Sequence, residues 1–224
     1  KSAKELSINT TSLKGIEEVI SKLIKANGFS SKEFSIRITL TRGPGGSAQL
    51  PPPIRKQFPT LLITLSEINT AKLNKLRASG VSVVTVEGSL PLPSGIKSLS
   101  YLNSVMLKSE AERRGAYEAL ATIKGKIFEG SSTNVFILKG KTLYTPPPLL
   151  ILPGITRGVI IKVAEKMEVK VIERNFKAED IKRSDAAFIT NSVIGMLPIK
   201  SIDKKNIFTN KAASAFEDLY SKLL

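Results

Sequence analysis

Three short stretches of the chain gather groups that could bind and act on a ligand. Glu129-Gly130-Ser131-Ser132-Thr133-Asn134 lies between the apolar runs Ile127-Phe128 and Val135-Phe136-Ile137-Leu138. A turn that only reverses the chain needs a glycine and an asparagine or serine. This one also holds Glu129 between two apolar strands, where an ionised carboxylate is costly unless a cation or donor meets it. Pro153-Gly154-Ile155-Thr156 precedes a helical pattern, so the free amides of Ile155 and Thr156 and the Thr156 hydroxyl can face an anion at the positive helix end. Thr190-Asn191-Ser192-Val193 follows an apolar strand pattern and adds hydroxyls and further amides. Taken singly, each is an ordinary turn or cap. Together they ask for a ligand with a phosphate at one end and a basic nitrogen elsewhere.

Composition narrows the chemistry. The 224 residues are 42% hydrophobic, enough for one good core or two small ones, and include no Cys and no His. That excludes thiolate and imidazole metal sites, cysteine nucleophiles and histidine-dependent triads, and no metal site is expected. Acid/base work falls to Lys, Tyr or carboxylates, or to a cofactor. No apolar run approaches the roughly 20 residues that span a bilayer, and the first residues do not form a signal peptide. A soluble, cytoplasmic protein without a membrane partner is expected. The formal charge of +15 raises the question of nucleic acid. The Lys and Arg residues are spread along the chain, however, and the aromatics fall in apolar patterns instead of interleaving with them as stacking platforms would. A basic surface that keeps an enzyme soluble is the simpler reading.

Elements able to position these groups follow from periodicity. Ile16, Val19, Ile20, Leu23 and Ile24 predict a helix over 12–26, stopped by Asn27-Gly28. Phe34, Ile36, Ile38 and Leu40 alternate with polar residues and predict a strand that runs into the glycine-rich loop 41–47. A strand over 60–65 precedes a polar interval, Ser66 to Thr70, taken as the boundary between a smaller domain (1–67) and a larger one (72–224). Beyond it come a short helix near 71–78 and a strand over 81–86. Leu99, Leu102, Met106 and Leu107 then predict a helical stripe, followed by hairpins turning at Lys124-Gly125-Lys126 and Lys139-Gly140-Lys141. A helix carries Val159, Ile160, Val163, Ala164 and Met167; strands cover 169–172, 186–190 and 196–199, a short helix 178–183, and a last helix 211–223.

In order and spacing, Lys97-Ser98-Leu99, EGSSTNVF at 129–136, LYTPP at 143–147, LPGITRGV at 152–159 and FITNSV with LPI at 188–199 resemble the class IV aminotransferases. These are pyridoxal-phosphate enzymes of fold type IV, among them branched-chain and D-amino acid aminotransferases and aminodeoxychorismate lyase. The resemblance spans residues 30–205 and its run of motifs is specific. It implies a two-domain, mixed α/β fold like that of D-amino acid aminotransferase, pyridoxal 5′-phosphate between the domains, and a homodimer.

The resemblance also assigns residues. Lys97 stands at the family's Schiff-base lysine, which bonds the cofactor and then moves a proton between substrate carbon and cofactor; patterning alone reads it as a solvated charge. Glu129 falls at the carboxylate that meets the pyridine nitrogen and keeps the ring protonated. Ile155, Thr156, Ser192 and Val193 match the phosphate cup. Tyr101 resembles the branched-chain enzymes' tyrosine near the cofactor's phenolic oxygen, one residue nearer the lysine than theirs. Asn134 and Ser132 read as residues that hold the turn.

Two departures from the family stand out. Lys1 to Leu6 resembles the stretch just past an N-terminal arginine that grips the phosphate, so the smaller domain is expected to be truncated. The loop 41–46 looks most like that of the lyase, with Ser47 where that group has Arg; the Arg and His of D-amino acid aminotransferases are missing here, while Tyr101 and Asn103 lean toward the branched-chain type. Arg42 is either a clamp for a substrate carboxylate or a structural strand-end arginine. The expected reaction is amino transfer between an amino acid, branched-chain among the candidates, and a 2-oxo acid. The alternatives are pyruvate release from aminodeoxychorismate by the same lysine and, from another class, a non-catalytic nucleic-acid-binding protein that keeps the fold.

Overall fold

The structure is a computed structural model that describes residues 1–28, 33–44, 58–88 and 95–207. Residues 45–47 of the glycine-rich loop and the helix expected over 211–223 lie outside the described residues. The chain divides into two compact units, Lys1–Thr70 and Ala71–Leu224.

In the first unit a one-turn helix α1 (Ser2–Glu5) and a 3₁₀ turn (Thr11–Leu13) precede α2 (Ile16–Ala26) and strands β1 (Phe34–Thr41) and β2 (Thr60–Glu67). Glu17 and Glu18 in the first turn of α2 suit the positive end of the helix dipole. The Asn27 side chain donates back to the Leu23 carbonyl at 2.9 Å and closes the last turn. β1 and β2 pair antiparallel from Phe34 opposite Glu67 to Thr41 opposite Thr60.

Helix α3 (Thr70–Ser79) leads into the second unit, which holds β3 (Val81–Glu87), α4 (Leu102–Arg113), β4 (Glu118–Ile123), β5 (Lys126–Gly130), β6 (Asn134–Lys139) and β7 (Thr142–Thr145). After these come α5 (Ile155–Lys166), β8 (Lys170–Glu173), β9 (Phe176–Lys177), α6 (Ala178–Lys182), β10 (Ala186–Asn191), β11 (Gly195–Ile202) and β12 (Lys205–Asn206). The strands form one sheet in the order β8-β7-β6-β10-β11-β3-β4-β5-β9, with β12 added beside β11. The expected hairpins are the antiparallel pairs β4–β5 and β6–β7.

Sheet order and chain length together require curvature. β5 and β6 stand five places apart in the sheet, yet only Ser131, Ser132 and Thr133 join them. Five inter-strand spacings of about 4.8 Å make about 24 Å on a flat sheet, whereas four Cα steps reach at most about 14 Å. The sheet therefore curls until the end of β5 meets the start of β6. Side-chain alternation fills the inside of the curl with Val83, Leu120, Ile127, Val135, Ile137 and Ile189, among others. Outside it, Phe136 and Phe188 stack at 5.1 Å and pack with Ile160 and Ala164 of α5. Val84, Ala119 and Ala121 meet Leu107 and Ala111 of α4.

The apolar stripe expected around α4 divides. Leu99 precedes the helix, and Leu102 and Met106 are 71% and 61% exposed, while Leu107 and Ala111 are buried. The physical reason is angular: 102 and 106 share one face, and 107 with 111 lies on another more than a quarter-turn away. Among the described residues, no helix is long and apolar enough to cross a membrane.

Candidate active site

A cavity of about 470 Å³ opens in the second unit at the β5–β6 corner. Its walls are the segment before α4 and the first turns of that helix (Lys97, Tyr101, Lys108), the corner itself (Glu129), the start of α5 (Ile155, Thr156) and the end of β10 (Thr190, Ser192). The size suits a small-molecule ligand.

Glu129, the last but one residue of β5, is 7% exposed. The Leu152 N–H donates to its Oε2 at 2.9 Å. Burial pushes the carboxyl up to about 7, against the lowering pull of the Leu152 N–H and of the Lys97 charge. Lys97 is thus within electrostatic reach of Glu129. A carboxyl held in this way is set to meet a second, better-placed cation.

At another wall, α5 begins at Ile155 behind Gly154, which makes no side-chain cap bond. The first amides of a helix lack intrahelical partners, and here those of Ile155 and Thr156 belong to cavity-lining residues. Thr190 also lines the cavity; its hydroxyl is buried and has no hydrogen-bond partner. An uncapped helix start with an orphaned hydroxyl beside it is a site for an anion. The model of the family described as amino-transferase class IV matches residues 1–202.

This chain belongs to the class IV aminotransferases. It is 33% identical, over 99% of its own length and 79% of the relative's, to a protein of Methanocaldococcus jannaschii assigned as a branched-chain-amino-acid aminotransferase. A D-alanine aminotransferase of Bacillus licheniformis is 29% identical over 92% of this chain and 72% of its own length. An aminodeoxychorismate lyase of Bacillus subtilis is 30% identical over 99% of this chain and 76% of its own. Among solved structures, a hypothetical aminotransferase from Mycobacterium tuberculosis in its PLP-bound form superposes with a TM-score of 0.85 at 22% identity, covering 99% of this chain and 79% of that one. The fold is that of the type IV enzymes.

In this aminotransferase the corner that carries Glu129 is braced by a second carboxylate that residue patterning does not single out. Glu118 is buried; its Oε1 accepts the N–H groups of Ala119 (2.9 Å) and Ser131 (3.1 Å), and its Oε2 accepts the Thr133 hydroxyl (3.1 Å). Gly130 fits only because it has no side chain: a Cβ there would lie 2.1 Å from Thr133 Oγ1. Arg157, third in α5, turns inward and donates to the Pro146 carbonyl at 2.9 Å and to Glu173 Oε1 at 2.6 Å, which anchors the helix start to the sheet.

Lys97, Tyr101, Glu129, Ile155, Thr156 and Ser192 all line the one cavity. Val193 does not: its N–H donates to Asn191 Oδ1 at 2.9 Å, as does that of Ile194, while Asn191 Nδ2 donates to the Ser132 carbonyl at 3.2 Å. The amide expected for the phosphate is thus engaged in a local turn. Arg42 lies in the first unit, where its guanidinium donates to the carbonyls of Leu6 (2.7 Å) and Ser7 (3.5 Å). A second lysine, Lys108, also lines the cavity; its Nζ donates to the Tyr117 carbonyl and sits 4.7 Å from the centre of the Tyr117 ring. It is absent from the sequence-based candidates because nothing in the spacing of α4 distinguishes it from any other lysine.

Proposed function

We propose that this cavity binds pyridoxal 5′-phosphate and that the chain moves an amino group between an amino acid and a 2-oxo acid, with branched-chain amino acids the first substrates to try. The observation that carries the reading is the shared cavity of a buried Glu129, the amine of Lys97 and the open start of α5. When bound, the cofactor supplies an electron sink for the negative charge that develops on the substrate's α-carbon. Glu129 keeps a proton at the ring nitrogen, since a buried carboxylate gains most from a cation at hydrogen-bond distance. Amides of Ile155 and Thr156, with the hydroxyls of Thr156, Thr190 and Ser192, hold the phosphate. Lys97 would carry the proton to and from the α-carbon, and Tyr101, which lines the same cavity, would offer its hydroxyl to the cofactor.

The test is reduction with borohydride after loading with pyridoxal phosphate, followed by peptide mapping. A phosphopyridoxyl label on the peptide containing Lys97 is expected; a label on Lys108 instead would overturn the assignment. Similarity to the B. subtilis lyase keeps a second reading, pyruvate release from aminodeoxychorismate. Mixing the loaded protein with an amino acid alone separates the two, because a transaminase exhausts its aldehyde band in one half-reaction. Failure of every amino acid to do so, with pyruvate formed from aminodeoxychorismate, favours the lyase.

We assign the exposed apolar face of α4, Leu102, Val105 and Met106, to contact with a second copy of the chain. The cytoplasm, where amino acids and 2-oxo acids are interconverted, is the proposed compartment.

A further inference from the structure

Leu152 is held through both of its backbone polar groups. Its N–H donates to Glu129 Oε2 at 2.9 Å, and its carbonyl accepts from Asn134 Nδ2 at 2.9 Å. The two groups belong to successive peptide planes joined at the Leu152 Cα, and because Pro153 follows, rotation between those planes is confined to the extended region, so holding the carbonyl limits where the N–H points. Asn134 is buried and its backbone is fixed in the sheet, opposite Thr190 of β10. Its Oδ1 packs against Gly154, the residue before α5, so closely that a Cβ at Gly154 would lie 2.3 Å from it. One side chain on a rigid strand therefore touches both the residue whose N–H holds Glu129 and the residue just before α5.

We propose that Asn134 is a positioning residue that holds Leu152 by its carbonyl and thereby couples the Glu129 carboxylate to the N-terminus of α5. This rests on the cofactor reading above. With Asn134 in place, a ligand that satisfies the helix end finds Glu129 already aimed. Without it, the Leu152 carbonyl is released, the residue is free to shift, its N–H leaves the carboxylate, and the two ends of the site bind independently.

A double-mutant cycle tests this with pyridoxine 5′-phosphate, which lacks the aldehyde and cannot bond to Lys97, its affinity measured by calorimetry. Glu129→Gln should weaken binding about tenfold by removing a charge-assisted hydrogen bond. In the Asn134→Ala background the same change should cost no more than about threefold, because residues in one network are not additive. Equal factors in both backgrounds would overturn the proposal. Gly154→Ala disturbs the same contact from the other side and should also shrink the Glu129→Gln factor; it decides the matter if circular dichroism shows that Asn134→Ala does not fold. An undiminished factor in Gly154→Ala counts against coupling. No binding by the wild type overturns the cofactor reading and this inference together, whereas wild-type binding with independent effects overturns the inference alone.

Discussion

Glu129→Gln should flatten the pH dependence of stability of the cofactor-free protein between pH 5 and 8. In the folded state burial pushes this carboxyl up to about 7, against an ordinary value of 4.5. The folded state then binds the proton more tightly than the unfolded chain, so this group's contribution falls as pH rises from 4.5 to 7 and is level outside that window. The gap of 2.5 pH units (7 − 4.5) corresponds to a loss on the order of 3 kcal/mol. The window is clean, because the chain has no His and no Cys. The lowered carboxyls act below it and with the opposite sign: Glu87 through its bond from Thr122, Glu110 and Glu179 through bonds from Arg113 and Lys182. Urea unfolding at half-unit intervals from pH 5 to 8 measures the slope. Gln is a neutral near-isostere that keeps an acceptor for the Leu152 N–H, so its slope should be nearly flat where the wild type declines. Equal slopes for the two proteins would refute the account of Glu129. Saturation with pyridoxine 5′-phosphate should reduce the wild-type slope as well, since a cation at the carboxylate lets it ionise without loss.

Two further outcomes follow from the same geometry. Glu118→Gln replaces an acceptor facing the Thr133 hydroxyl or the Ala119 and Ser131 amides by an NH₂ group, and should cost about 2–3 kcal/mol in urea unfolding while also weakening cofactor affinity; a change within error would mean that the corner does not depend on it. Leu102→Glu combined with Met106→Glu puts two charges on the exposed face of α4 and should leave a folded monomer in sedimentation velocity; an unchanged dimer would place the contact elsewhere.

What the sequence shows and hides here has a physical basis. Apolar runs and 3.6-residue spacing mark many of the described elements, because the central strands β4, β5, β6 and β10 are buried on both faces and α5 along one stripe. On α4 the same rule misleads: Leu102 and Met106 have the spacing of a core stripe, but their face is not the one that packs on β3 and β4. Glu129 is visible because its neighbours on both sides are apolar, which leaves its charge without a local explanation. Glu118 is just as buried and stays hidden, since its partners Ser131 and Thr133 arrive from another strand. Lys97 is invisible for a related reason, as a lysine's chemistry depends on what faces it across a cavity and not on what precedes it in the chain. Sheet order is the decisive missing term. Three residues must cross between strands five places apart, so the backbone leaves its ladder at that corner with amides and hydroxyls unspent. Glu118 takes up part of that surplus, and the rest, with Glu129 among it, faces the cavity.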